Sequence, residues 1–115
     1  MKRLREANPG LRDLTYAAQA YDAVVITALA AAVAGTDAPA AVAKQIDDVT
    51  RAGERCTSFA ACMTLVEHGK SIVYDGPSGP LRLTDHGEPN SATYVINEIQ
   101  ADGTLKPLRS ERVSS

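Results

Sequence analysis

The sequence predicts an α/β fold of about three helices followed by short strands. Two observations carry this. Between Leu14 and Ala34 the apolar residues recur at three- and four-residue spacing, the period of one helix face. After Gly69 the pattern changes to short β-branched runs broken by Gly and Pro, the pattern of strands and turns. A third observation bounds the size. The chain has 115 residues, enough for one small domain with a core of its own. It is 44% hydrophobic but only 4% aromatic and has no Trp, so alanine carries much of the apolar content. Alanine buries little area per residue, and the core is expected to be thin, with helices that pack against something outside the chain.

Residues 1–13 read as a disordered or frayed end: a short basic stub, then the turn Asn8-Pro9-Gly10. Residues 14–105 read as the structured domain and residues 106–115, being polar, as a disordered tail. The first helix spans about 14–34. Leu14, Ala18, Tyr21, Val25, Leu29 and Ala32 make its apolar stripe, and Gly35 ends it in the left-handed cap. A second helix spans about 39–51, started by Pro39 in its first turn and buried through Val42, Ile46 and Val49. Lys44, Gln45, Asp47, Asp48 and Arg51 are expected to face water, with Gly53 ending the helix. A third helix runs over about 59–68, capped by Thr57 or Ser58 and stopped by Gly69. Then come a short strand at 72–74, a turn at 77–80, an alternating piece at 81–83, a loop at 85–90 and the longest strand at 92–99. Asp102-Gly103 is a further turn, and Leu105 begins a last extended piece. No internal repeat is present.

Charge and hydropathy exclude several classes. The net charge of −2 comes with no basic stripe, which argues against nucleic acid as a partner. Basic residues open the chain, but no apolar run follows them, so no signal peptide is expected. The apolar run 23–34 is about half of the roughly 20 residues that a membrane span needs, which predicts a buried helix.

Cys56 and Cys62 are the only cysteines. A bridge between them would pin the loop entering the third helix to the helix itself, contributing ~2–3 kcal/mol. In an oxidising compartment they are expected to bridge; in a reducing one they would stay thiols, one of them packed as a small apolar group. Only His68 and His86 could join them around zinc, and no usual ligand spacing is present, so no metal and no cofactor are expected. Each histidine reads as exposed and lacks a nucleophile nearby in sequence. The run Gly76-Pro77-Ser78-Gly79 lacks the Lys-Ser/Thr ending of a phosphate loop and precedes a strand, so it reads as a turn. Asp22 stands near the start of an apolar helix, where it could contact a ligand, favour the helix N-terminus or face water. Tyr16 and Tyr21 could line a cleft or fill the core. No nucleophile–base pair stands out, and an enzyme is not expected.

Several of these residues together carry a resemblance. Tyr21-Asp22-Ala23-Val24, the two helices that follow, Tyr74-Asp75-Gly76-Pro77-Ser78-Gly79-Pro80-Leu81, the Asp85…Gly87 turn and the Tyr94 strand resemble the C-terminal part of the type I periplasmic binding proteins. These are extracytoplasmic substrate-binding subunits of ABC transporters, here of the leucine or branched-chain amino acid type. The likeness covers about 14–105. It implies a partial periplasmic-binding-protein-like lobe from a longer, two-lobed parent. It also implies an amino acid-like small-molecule ligand and an ABC permease as partners of that parent, with no membrane-spanning segment in the chain. In that family the main ligand loops come from earlier sequence, so Ala18, Tyr21 and Asp22 are carried over only as cleft-adjacent candidates. The insertion from Cys56 to Cys62 resembles a subgroup of amino-acid-type binding proteins.

The leading expectation is therefore a C-terminal fragment of a substrate-binding protein, not ligand-competent alone. The alternatives are a ligand-sensing domain of a receptor or regulator with the same fold, or a free-standing α+β interaction module.

Overall fold

The computed structural model describes residues 2–114 and is a mixed α/β arrangement, as expected. The helices are α1 (Lys2–Ala7), α2 (Ala17–Ala34), α3 (Pro39–Ile46) and α4 (Phe59–Glu67), with a 3₁₀ turn at Asp48–Thr50. The strands are β1 (Glu54–Cys56), β2 (Ile72–Tyr74), β3 (Ser91–Ile99) and β4 (Leu105–Ser114). They form two separate two-stranded sheets, β1 parallel to β2 and β3 antiparallel to β4.

The core lies where α2, the 3₁₀ turn and α4 meet the parallel pair. All three residues of β2 are buried, as in a strand covered on both faces. Ile72 and Tyr74 pack with Val25, Ile26, Leu29, Val49, Cys56 and Cys62. The chain crosses from β1 to β2 through α4, the connection that parallel neighbours require. Ser58 caps α4 by accepting from Ala61 N at 3.2 Å, and Gly35 closes α2 in the left-handed conformation, bonding back to Ala31 and Ala32.

The buried stripe of α2 is rotated from the expected one. Asp22, Val25, Ile26, Leu29 and Ala30 face inward, while Tyr21 is 51% exposed. The carboxylate displaces the aromatic ring because it has hydrogen-bond partners inside, which the spacing of apolar residues does not reveal. The outward face of α2 keeps Val24 70% exposed. The helix expected to be buried is therefore mostly bare: by length and composition alone α2 is long and apolar enough to cross a membrane, and fewer than a third of its residues are buried in the fold.

The expected second helix is shorter than its periodicity suggests. It ends at Ile46, and the 3₁₀ turn follows because Thr50 is bonded elsewhere: its hydroxyl donates to Asp47 O at 2.8 Å and accepts from Leu83 N at 3.1 Å. Arg51, expected in water, is half-buried and ties Asp47 to the 83–85 loop through Leu83 O and Asp85. The 81–83 piece is no strand. Arg82 has φ 39°, and only an isolated bridge joins Leu83 to Pro89.

The tail also departs from expectation. Residues 105–114 form β4, the second arm of a hairpin, and the tail's last residue, Ser115, lies outside the described residues. The turn is built by Asp102, whose carboxylate accepts from Thr104 N at 2.9 Å and Thr104 Oγ1 at 2.7 Å. These bonds hold the Asp102 carboxyl below its ordinary range. Pro107 has no N–H for the ladder, and the register slips beside it, leaving Leu108 as the extra residue of a bulge. β4 is exposed at every described position, so its sequence carries no alternation that would mark it as a strand. At the other end, α1 is a single short helix that buries nothing, and Met1 lies outside the described residues.

Candidate functional site

The segments that converge beside the N-terminal half of α2 are the Gly76–Leu81 turn and the base of the β3–β4 hairpin. Asp22 organises this junction. Its Oδ1 accepts from the Tyr74 hydroxyl at 2.8 Å, and its Oδ2 accepts from Ser78 N at 2.8 Å and from the Ser78 hydroxyl. Both carboxylate oxygens are thus satisfied by donors, which is what permits a fully buried aspartate. Burial first, and the neighbouring Asp22 carboxylate second, push the Tyr74 phenol well above its usual value. Gly76 sits against the pair so closely that a Cβ there would collide with the Asp22 carboxylate and the Tyr74 hydroxyl.

Next to this latch is a cavity of about 270 Å³. Gln19 of α2 forms one side. Pro80 and Leu81 of the turn and Pro89 form an apolar wall. Ser91, Thr93 and Arg112 close the cavity from the hairpin, and Ser78 belongs to both the latch and the cavity. Tyr16, three residues before Gln19, adopts φ 60° and is 74% exposed. A left-handed conformation is uncommon for an aromatic residue, and here it starts α2 with no side-chain cap.

The sequence candidates are placed as follows. Ala18 is half-buried, Tyr21 points outward and Asp22 points into the core. None of the three lines the cavity, whereas Gln19 between them does. Gln19, Thr93 and Arg112 were not legible as site residues. No motif surrounds them, and Arg112 lies in the stretch expected to be disordered.

At the carboxyl ends of the parallel strands stands a second polar group. Cys56 and Cys62 form a disulfide with a Cα–Cα distance of 5.3 Å, the bridge expected for an oxidising compartment. Beside it Arg55 Nε meets Asp75 Oδ2 at 2.6 Å, and Asp75 N donates to Cys56 O at 3.0 Å. Asp75 Oδ1 is buried and finds no donor among the described residues. Two wider hollows, of about 480 and 660 Å³, border the β1–β2 pair, the first at the start of β2 and the second along β1. The first joins Val33 and Val49 to Lys70, and the second is a shallow depression beside the disulfide. Neither touches the Asp22 junction. Among the described residues no group of three or more His, Cys, Asp or Glu is placed to hold a metal ion.

Against known proteins, the chain is similar to the chemotactic signal transduction system substrate-binding protein BasB of Halobacterium salinarum. The two are 34% identical over 109 residues, covering 89% of this chain and 25% of that protein. The chain thus spans about a quarter of the length of the curated relative it matches. No family model matches the chain, and no solved structure matches it at a significant level.

Proposed function

We propose that this chain is the C-terminal part of an extracytoplasmic substrate-binding protein of the type I periplasmic class, one that takes an amino acid or a related small polar metabolite. The observation that carries the reading is the 34% identity to BasB across 89% of the chain. The disulfide supports an oxidising compartment, as found outside the cytoplasm. The bare outer face of α2, with Val24 exposed, supports a place in a larger α/β lobe that would cover it. In this reading the chain binds and does not transform its ligand. The N-terminal turn of α2, with Tyr16, and the hairpin base contribute one wall of a cleft whose other walls come from preceding polypeptide. Closure of the assembled protein around the ligand would then be read by an ABC permease.

A second reading has a specific observation in its favour. BasB is the substrate-binding protein of a chemotactic signal transduction system, so a receptor or regulator in place of a permease could read the closed form.

The test is complementation. The part of the Halobacterium relative outside the alignment is produced separately and mixed with this chain. A soluble complex that binds an amino acid, where neither piece does so alone, is the expected result. Two pieces that stay apart and silent would overturn the reading. Pull-down of a permease or of a signalling receptor by the liganded complex separates the two partners.

A further inference from the structure

We propose that the cavity between Gln19 and Arg112 receives the carboxylate end of a small ligand. This rests on the binding-protein reading and names the chemistry that this chain's share of the site would recognise.

Arg112 is the carrying observation. It stands opposite Thr93 in the hairpin ladder, and Ser91 is two residues from Thr93, so the three side chains leave the same face of the ribbon. A guanidinium offers five N–H donors. Only Nη2 is engaged, with Ser91 Oγ at 3.3 Å, and Arg112 makes no ion pair among the described residues. Thr93 and Gln19 add neutral donors around the same space. Among the described residues no Asp or Glu lines the cavity, and the nearby Asp22 carboxylate is already taken by Tyr74 and Ser78. Among the described residues an anion would therefore meet donors and no unengaged carboxylate.

The shape narrows the class. The planar fork of arginine matches a planar carboxylate through two parallel hydrogen bonds, a preference that a spherical halide cannot satisfy. The Pro80, Leu81 and Pro89 wall offers apolar contact to a short aliphatic body. A volume of about 270 Å³ is below the usual range for drug-sized ligands and suits a compact acid. With only one charged partner and no second wall, the lone chain should bind weakly, in the low-millimolar range.

The experiment is a titration of the ¹⁵N-labelled chain, followed by NMR, with isobutyrate, with isobutyramide, and with sodium chloride at matched ionic strength. Saturable shifts at Arg112 Nε, the Gln19 side-chain amide and the Ser91 and Thr93 backbone amides are expected with isobutyrate alone. Arg112→Gln should weaken binding by about tenfold or more, and Arg112→Lys should recover part of it, with the melting temperature unchanged in both. Equal shifts from isobutyramide or chloride, or undiminished binding by Arg112→Gln, would overturn the proposal. This experiment reads the lone chain and complementation reads the assembled protein, so each can fail without the other.

Discussion

Asp22 and Tyr74 are 52 residues apart in the chain and meet in the core through a hydrogen bond of 2.8 Å from the phenol to the carboxylate. That bond joins α2 to the end of β2, and with Ser78 it fixes the Gly76–Leu81 turn against the helix. Removing the phenol leaves a buried carboxylate oxygen with no donor. Tyr74→Phe should therefore destabilise by ~1–3 kcal/mol, measured by urea unfolding. In a cycle with Asp22→Asn the two changes should couple, and additivity would show that the contact carries no energy.

Burial of the Tyr74 phenol, reinforced by this bond to the Asp22 carboxylate, sets the behaviour in alkali. The folded phenol holds its proton more tightly than an ordinary tyrosine, whose value is 10.0. The stabilisation is complete below that value. As the pH rises past it the unfolded phenol ionises while the folded one does not, so stability falls. The native chain should lose stability above about pH 10, and Tyr74→Phe should flatten that limb. A native phenolate at Tyr74, seen by ultraviolet absorbance while the fold persists, would contradict this.

Two glycines in the adjoining turn should behave differently when substituted. Gly79 has φ 97° and open space where a Cβ would go, so Gly79→Val should cost ~1–3 kcal/mol through backbone strain alone. Gly76 has an ordinary φ, but its Cβ position is occupied by the Asp22 carboxylate and the Tyr74 hydroxyl. Even Gly76→Ala must break the latch and should cost about as much as losing Tyr74, roughly 2 kcal/mol or more. Thermal melting of both variants checks the order.

The bridge between Cys56 and Cys62 ties the end of β1 to the first turns of α4. Reduction, or Cys62→Ala with Cys56→Ala, should lower stability by ~2–3 kcal/mol. Protein prepared in an oxidising compartment should show no free thiol on titration.

Elements with their own local signals were legible in the sequence. Pro39 starts α3, Ser58 caps α4, Gly35 ends α2, and Ile72-Val73-Tyr74 is apolar throughout because β2 is covered on both faces. What was not legible depends on partners distant in the chain. Glu54-Arg55-Cys56 is a strand only because β2 lies beside it, and its own residues carry no strand pattern. Asp22 faces inward because Tyr74 and Ser78 supply donors from more than fifty positions away. β4 shows no alternation because neither of its faces is buried. The candidate site suffered most, since Arg112 and Gln19, near opposite ends of the sequence, come to line one cavity only in the folded chain.

The central claim is that this chain is one part of a ligand trap and does not close a trap by itself. Two-lobed binding proteins gain affinity by enclosing a ligand whose charged ends each need fixed partners, and in the proposed function this chain supplies one wall. Its bare apolar positions, Val24 on α2 and Ile99 and Leu105 on the hairpin, should favour self-association. Isothermal titration of the isolated chain with a panel of amino acids, alongside sedimentation, is the most direct test. The account predicts no saturable micromolar binding and a tendency to associate; saturable micromolar binding by a well-behaved monomer would contradict it.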